Sequence, residues 1–391
     1  MGKSGGRGKR RQPAPTAVGP VRKRERTTGA TACPHAFHRA EAIRHRYEPD
    51  YGWPKAGQAL MFGSPPADAP LLTEGPWADG CKCASGSTCL ATVCDPTLHV
   101  ATPPPVTDDL LLTAHSREFL QELHAVDCCE LKRIFEVKTI PDRVALLGSY
   151  RRMVASTVLG AAVAWGYGSA VSLCGGLHHA SRDVADGGDP YADVIISWIA
   201  LRNVLIEERL VADPVALYID LDVHHADGFA FAMHELGIRS HFKMLDAYNC
   251  EIWPVSTATG DNRASLGYLD IGVPYDCRTS SKAFLKKVGG ALERAEKELP
   301  KPDLIYYMAN MDALEGDPLG YASVTADGMH ARDQMVHDWA AKLGVPIFMM
   351  AGGGYSEQGC SVAGSSLANL QKRHHVWTGR EDGTNCPACG S

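Results

Sequence analysis

Four short apolar runs, each ended by polar residues of metal-ligand or acid–base type, constrain this chain more than any other feature. Ser169 to Cys174 breaks at Gly175-Gly176 and delivers His178-His179. Tyr218-Ile219 leads into Asp220-Leu221-Asp222-Val223-His224-His225-Ala226-Asp227, and Asp303 to Ala309 ends in Asn310-Met311-Asp312. Pro346 to Met350 passes into Gly352-Gly353-Gly354-Tyr355. Helical spacings separate the runs, over Ser116 to His124, Val144 to Trp165, Asp193 to Leu210, Ser281 to Leu299, Asp327 to Leu343 and Ser361 to Leu370. A run that is apolar throughout has both faces covered, and strands that alternate with helices pair in parallel. The expected fold is α/β: one domain with a doubly wound, mostly parallel sheet and helices on both faces. Its site should lie in the crevice beyond the carboxyl ends of the strands.

The second run carries the chemistry. In an extended strand alternate side chains share a face, so Asp220, Asp222 and His224 point one way while Ile219, Leu221 and Val223 face the packing. A lone Asp-x-His at a strand end reads first as a satisfied hydrogen-bond network. The His pair, Asp312 and Tyr355, each delivered by a different run, weigh against that reading here.

Composition sets limits on the rest. Apolar residues make up 45% of the 391 and charged residues 21%, as in water-soluble domains, and no apolar run approaches the ~20 residues of a membrane span. The net charge of −6 argues against a sequence-specific or general nucleic-acid binder. Residues 1–26 nevertheless carry nine basic side chains against Glu25 alone. Lys9-Arg10-Arg11 and Arg22-Lys23-Arg24, ten residues apart, read as a bipartite nuclear signal, with a plain basic tail or an organelle transit peptide as the alternatives. The expected location is the nucleus, the cytoplasm or both.

The expected organisation is a disordered basic tail over residues 1–40, a catalytic domain over 41–375 and a flexible tail over 376–391. A low-complexity insertion at 63–107 has no periodic apolar pattern. Of the 13 cysteines, Cys81, Cys83, Cys89 and Cys94 cluster in that insertion at a spacing that matches no zinc finger. Those in the catalytic region read as small buried hydrophobes.

Taken together, Gly175-Gly176-Leu177-His178-His179-Ala180, the Asp-Leu-Asp-Val-His-His run, Asp312-Ala313-Leu314-Glu315-Gly316-Asp317-Pro318-Leu319-Gly320 and Gly352-Gly353-Gly354-Tyr355 resemble the signature blocks of the histone deacetylase family, in order. The resemblance covers roughly residues 108 to 375. Met244 to Asn249, Ile252-Trp253-Pro254 and the Leu-Glu-Gly-Asp block are most similar to the class IV, histone deacetylase 11-like branch. Tyr47 to Pro54 is similar to the first strand and following loop of these enzymes.

The resemblance implies an arginase/deacetylase fold and hydrolysis of N-acyl-lysine side chains. It makes Asp222, His224 and Asp312 the ligands of Zn2+, with Fe2+ or Co2+ as alternatives. His179, oriented by Asp227, becomes the general base, His178, oriented by Asp220, its partner, and Tyr355 the oxyanion donor. Gly176, Gly188, Gly353 and Gly354 would border the substrate. A K+ site would form around Asp220, Asp222, His224 and Asp246. The implied partner is an acyl-lysine protein, histones included, and class IV relatives are associated with long fatty acyl groups as well as acetyl. Acyl preference and oligomeric state have no sequence signature.

Departures from the family pattern qualify this. Ala226 replaces a glycine. Asn310-Met311 stands where the family has Gly-Ala or Gly-Thr, which puts a bulky side chain beside the metal and predicts a displaced Asp312. Gly188 falls where an aromatic tunnel wall is usual. The rival readings are an acetylpolyamine amidohydrolase, a two-manganese arginase-like hydrolase, against which the His pair and Tyr355 argue, and an inactive scaffold.

Overall fold

The computed structural model of the chain describes residues 60–62, 99–101, 103–125, 128–257 and 260–374. The basic tail, the Cys81–Cys94 cluster and the C-terminal tail expected from sequence lie outside them. In chain order come β1 (Leu60–Phe62), β2 (His99–Ala101), α1 (Asp108–Leu111), α2 (Arg117–Leu123), α3 (Cys129–Ile134) and α4 (Arg143–Tyr167). Next are β3 (Ser169–Ser172), α5 (Asp193–Glu207), β4 (Ala216–Asp220), α6 (Asp227–Glu235), β5 (Phe242–Asp246), a 3-10 helix (Gly260–Tyr268) and β6 (Ile271–Gly272). Last come α7 (Ser281–Glu298), β7 (Leu304–Met308), α8 (Ala326–Leu343), β8 (Ile347–Met350) and α9 (Gly359–His374). Local chemistry starts several helices. Ser116, Asp142, Ser280 and Thr325 each accept the N–H three residues on, filling donors that a first turn leaves open.

Every ladder among the described residues is parallel, in the order β2-β1-β3-β8-β7-β4-β5-β6. The apolar runs make this possible because both faces of each central strand are covered. Ala216 and Tyr218 of β4, Tyr306 and Met308 of β7, and Phe348 and Met350 of β8 enter one buried cluster, which residues of α1 to α6 complete. The alternate residues Leu217, Ile219, Ile305, Tyr307, Ile347 and Met349 enter a second cluster with α7, α8 and α9. The period of two along each strand therefore sorts side chains between two cores, as a doubly wound sheet requires.

The winding reverses between β3 and β4. After β3 the chain crosses to β4 and continues outward through β5 and β6, then returns to lay β7 and β8 between them. The carboxyl ends of β3, β8, β7 and β4 thus stand side by side at a topological switch point, where open α/β sheets form their sites. Among the described residues no helix is long and apolar enough to cross a membrane.

Three expectations change. β2 lies within the segment 63–107 that showed no periodic pattern, and it pairs in register with β1, Leu60 beside His99. Three residues are too few for a period to register. β5 and β6 were not foreseen as strands: β5 carries the half-exposed Lys243, and β6 has two residues. Finally, β4 ends at Asp220, so Asp222 and His224 are not on an extended strand.

Candidate active site

The chain leaves β4 through two local hydrogen bonds. Asp220 Oδ1 accepts the Asp222 N–H at 2.9 Å, and Asp222 Oδ1 accepts the His224 N–H at 2.7 Å. A short acidic side chain that takes the backbone N–H two residues on competes with the ladder and turns the chain out of it. Leu221 and Val223 stay buried in the α7–α9 core through this turn. The sidedness expected from alternation is therefore met by Asp side chains bonding backward, not by strand pleating.

This turn and the end of β7 bring Asp222, His224 and Asp312 together, with one ligand atom from each lying within 4.8 Å of the others. Asp312 Oδ2 is buried 3.3 Å from His224 Nδ1 and has no hydrogen-bond partner among the described residues. Burial and the neighbouring Asp222 push the Asp312 carboxyl up from the ordinary range. An orphaned buried carboxylate oxygen beside a second carboxylate is costly unless a cation meets it. Two carboxylates and an imidazole suit Zn2+, Fe2+ or Co2+ and leave coordination positions open, so the residues fit a divalent ion of the catalytic type.

The His pair sits above this cluster, with ring centroids 4.1 Å apart. His178 Nδ1 lies 2.9 Å from Asp220 Oδ2, and His179 Nδ1 lies 2.8 Å from Asp227 Oδ1. Each carboxylate accepts from Nδ1–H, which turns Nε2 toward the site. Burial takes His179 down to about 4, so at neutral pH its Nε2 holds a free lone pair. Burial also opposes charge on His178, but Asp220 and Asp222 outweigh it and lift this residue well above its ordinary value.

Backbone contacts hold the pair in place. The N–H groups of Gly176 and Leu177 both donate at 2.8 Å to Asp193, the first residue of α5, and the His179 N–H donates at 2.8 Å to Asp189. Phe229 donates to the His178 carbonyl, which seats the first turn of α6 under the pair. A Cβ at Gly228 would come 2.1 Å from the His179 carbonyl oxygen, so only glycine permits this approach.

Tyr355 is half-buried on the turn after β8. Asp317 anchors that turn: one carboxylate oxygen accepts the N–H of Leu319 and Gly320, the other those of Tyr355 at 2.7 Å and Ser356 at 3.1 Å. Gly353 and Gly354 back onto Asn310 and Met311, and Gly176 onto Met308. Asp246 pairs in register with Asp220. Its Oδ2 accepts from His225 at 2.5 Å and from the Ala226 N–H at 3.2 Å, while its buried Oδ1 has no partner among the described residues. His225 thus lies in a buried network that Ser265 completes.

One expectation drawn from the departures fails. Met311 does not crowd the metal ligands: it is 3% exposed and packs in the α7–α9 core beneath Gly354 and Gly359. The residue that reaches the site is Asn310, whose amide lies 2.6 Å from Asp222 Oδ2. No aromatic side chain stands at Gly188, but Trp253 lies 4.5 Å from His179 and 6.1 Å from His224, ring centre to ring centre, tilted by 54° and 56°. Gly187 lies against His179, and a Cβ there would lie 2.4 Å from the imidazole.

The sequence reading missed Asp189, Asp193, Trp253 and Arg332. Arg332, fully buried, donates to the carbonyls of Asn310 at 2.7 Å, Ala309 at 3.1 Å and Leu221 at 3.4 Å, and pairs with Asp333 at 2.8 Å. Its signal was an Arg-Asp pair on a helix, which reads as solvated charge until the tertiary partners are known.

Comparison with known proteins agrees with this geometry. The histone deacetylase domain family matches residues 86–370. Histone deacetylase 2 of Arabidopsis thaliana is 31% identical over 277 residues, 68% of this chain and 66% of that protein. Histone deacetylase RPD3 of Saccharomyces cerevisiae is 29% identical over 195 residues, 48% of this chain and 40% of that protein. The chain spans 66%, 62% and 50% of the lengths of the first three curated relatives it matches. An acetylpolyamine aminohydrolase from Burkholderia pseudomallei superposes with a TM-score of 0.58 over 80% of this chain and 99% of its own, at 18% identity, which is a likeness of fold. With the family model matching more than half of this chain and the four signature blocks gathered at one switch point, this chain belongs to the histone deacetylase domain family.

Proposed function

We propose that the protein is a zinc-dependent deacylase that hydrolyses N-acyl-lysine side chains, acetylated histones among its candidate substrates. The observation that carries this reading is the placement of His179, held through Nδ1 by Asp227 and with its ring 6.0 Å from that of His224 in a cluster of two carboxylates and an imidazole. Asp222, His224 and Asp312 would hold a divalent ion, which would supply Lewis-acid polarisation of the amide carbonyl and of a water. His179 Nε2 takes a proton from the attacking water and returns it to the departing amine, so that an acid and an amine leave the site. Asp227 keeps the imidazole in the tautomer that can do this. His178, hydrogen-bonded to Asp220, holds positive charge beside the developing oxyanion, and Tyr355 is the hydroxyl donor assigned to it.

Trp253 and Gly187 pack together against His179, where a Cβ at Gly187 would come 2.4 Å from the imidazole and 2.9 Å from the indole, and Trp253 is an aromatic side chain beside the proposed acyl-lysine site. The orphaned Asp246 Oδ1 supports a K+ site formed with Asp220, Asp222 and His224. The blocks at Met244 to Asn249, Ile252 to Pro254 and Leu314 to Asp317 support placement in the class IV branch, and the basic N-terminal segment supports a nuclear location.

The test is hydrolysis of acetyl-lysine and myristoyl-lysine peptides and of acetylspermidine by metal-stripped, then zinc-restored protein, beside His179→Ala. Zinc-dependent peptide turnover, reduced ~10²–10⁴-fold in the variant, is the expected result. Turnover of acetylspermidine alone would reassign the substrate to polyamines, and no turnover with zinc bound would make the chain a scaffold.

A further inference from the structure

Asn310 stands where the family pattern has glycine, and all of its side-chain polar atoms are engaged. Its Oδ1 accepts the N–H of Gly352 at 3.0 Å and of Gly353 at 2.6 Å, while its Nδ2 donates to Asp222 Oδ2 at 2.6 Å. The amide orientation is unambiguous, because two N–H donors face one end and a carboxylate faces the other. Asn310 is 5% exposed, and its main-chain carbonyl is held by the buried Arg332. Below it, the Met311 N–H donates to the Gly353 carbonyl at 2.7 Å. The fit is close: a Cβ at Gly353 would come 2.3 Å from Asn310 Nδ2.

Asp222 is therefore gripped on both oxygens. Oδ1 accepts the His224 N–H, and Oδ2 accepts the Asn310 amide. The same amide pins the turn that leads to Tyr355. A side chain bonded both to a ligand carboxylate and to the opposite wall makes the two move as one.

We propose that Asn310 is a positioning residue that locks the Asp222 carboxylate to the Gly352-Gly353 turn, so that the metal cluster and the Tyr355 turn are ordered together before any ion binds. This rests on the reading of Asp222 as a metal ligand. In a chain with glycine at 310, Asp222 Oδ2 and two backbone donors would each need another partner.

The test compares wild type with Asn310→Gly and Asn310→Ala. Amide hydrogen exchange of the metal-stripped proteins reads the turn directly. The expected result is exchange at least tenfold faster at Gly352 and Gly353 in both variants, with the β5 amides of residues 243–245 unchanged. Zinc affinity, measured by chelator competition, should weaken about 10- to 100-fold. The visible ligand-field bands of the Co2+-loaded protein should shift, which loss of stability alone would not cause. Unchanged exchange at Gly352 and Gly353, or an unaltered cobalt spectrum with wild-type zinc affinity, would overturn the proposal.

The two readings fail separately. A wild type that turns over no acyl-lysine peptide counts against the proposed function and leaves these measurements standing. If either variant fails to fold, the other decides. If neither folds, exchange in wild type decides: Gly352 and Gly353 must be protected without metal, and open exchange there overturns the lock.

Discussion

Single residues here are legible by chemistry but not by reach. Asp222, His224, Asp312 and the His pair declare themselves because few residue types can bind metal or move a proton, and the structure gathers all five. Trp253 carries no such mark, since tryptophan beside proline reads as loop packing until the fold sets it against His179. Its contact is worth roughly 0.5–1.5 kcal/mol beyond simple burial. Trp253→Ala should therefore loosen the His179 ring and lower kcat for an acyl-lysine peptide several-fold while changing KM less, as steady-state kinetics on the zinc-restored protein would read. A rise in KM with kcat unchanged would instead give Trp253 the task of binding substrate.

At the scale of elements, the long helices and central strands follow from periodicity, whereas the loops that make the site follow from acids. Asp193, Asp220 and Asp317 each use carboxylate oxygens to collect backbone N–H groups at the carboxyl ends of strands. In sequence Asp193 reads as a helix start, Asp220 as the carboxylate that orients His178, and Asp317 as a structural residue of its signature block. Their work is to pair donors that a sharp turn inside a closed sheet hides from water. Asp317→Ala leaves four such donors without this acceptor and should destabilise the protein by roughly 2–4 kcal/mol, measured as a lower urea midpoint. It should also speed amide exchange at Tyr355 and Ser356 and leave zinc affinity within a few-fold of wild type. Equal loss of zinc binding would mean that Asp317 acts on the ligands themselves.

For the molecule as a whole, stability should depend on pH through a buried group that takes no part in the proposed chemistry. His115 is buried, with Nδ1 2.9 Å from the Arg182 carbonyl and Nε2 accepting the Ala192 N–H at 3.0 Å, so it ties α1 and its neighbours to both ends of the loop that follows the His pair. Burial lowers its pKa from 6.5 to about 4. The folded protein thus resists a proton that the unfolded chain accepts. Its contribution is complete above pH 6.5 and is lost as pH falls toward 4. Between pH 7.5 and 5 the loss should be on the order of 2 kcal/mol from this residue. Urea unfolding at the two pH values, wild type against His115→Gln, reads it as a smaller pH dependence in the variant. Equal pH dependence in both would place the titrating group elsewhere.

The sequence by itself determined the architecture and the chemistry: runs apolar at every position require a sheet covered on both faces, and the polar residues at their ends require a site at its carboxyl edge. These are local properties, set by period and residue type, so they survive without knowledge of the fold. Only the tertiary structure decided which strand stands beside which, and with that the partners. The crossing from β3 to β4, later filled by β7 and β8, brings Asn310 to Asp222 and Gly353, Arg332 to three carbonyls and Trp253 to His179. A hydrogen bond between residues 88 apart in the chain, as from Asn310 to Asp222, has no periodicity to betray it. It exists because the two strands end at the same switch point, and side chains buried there must satisfy one another.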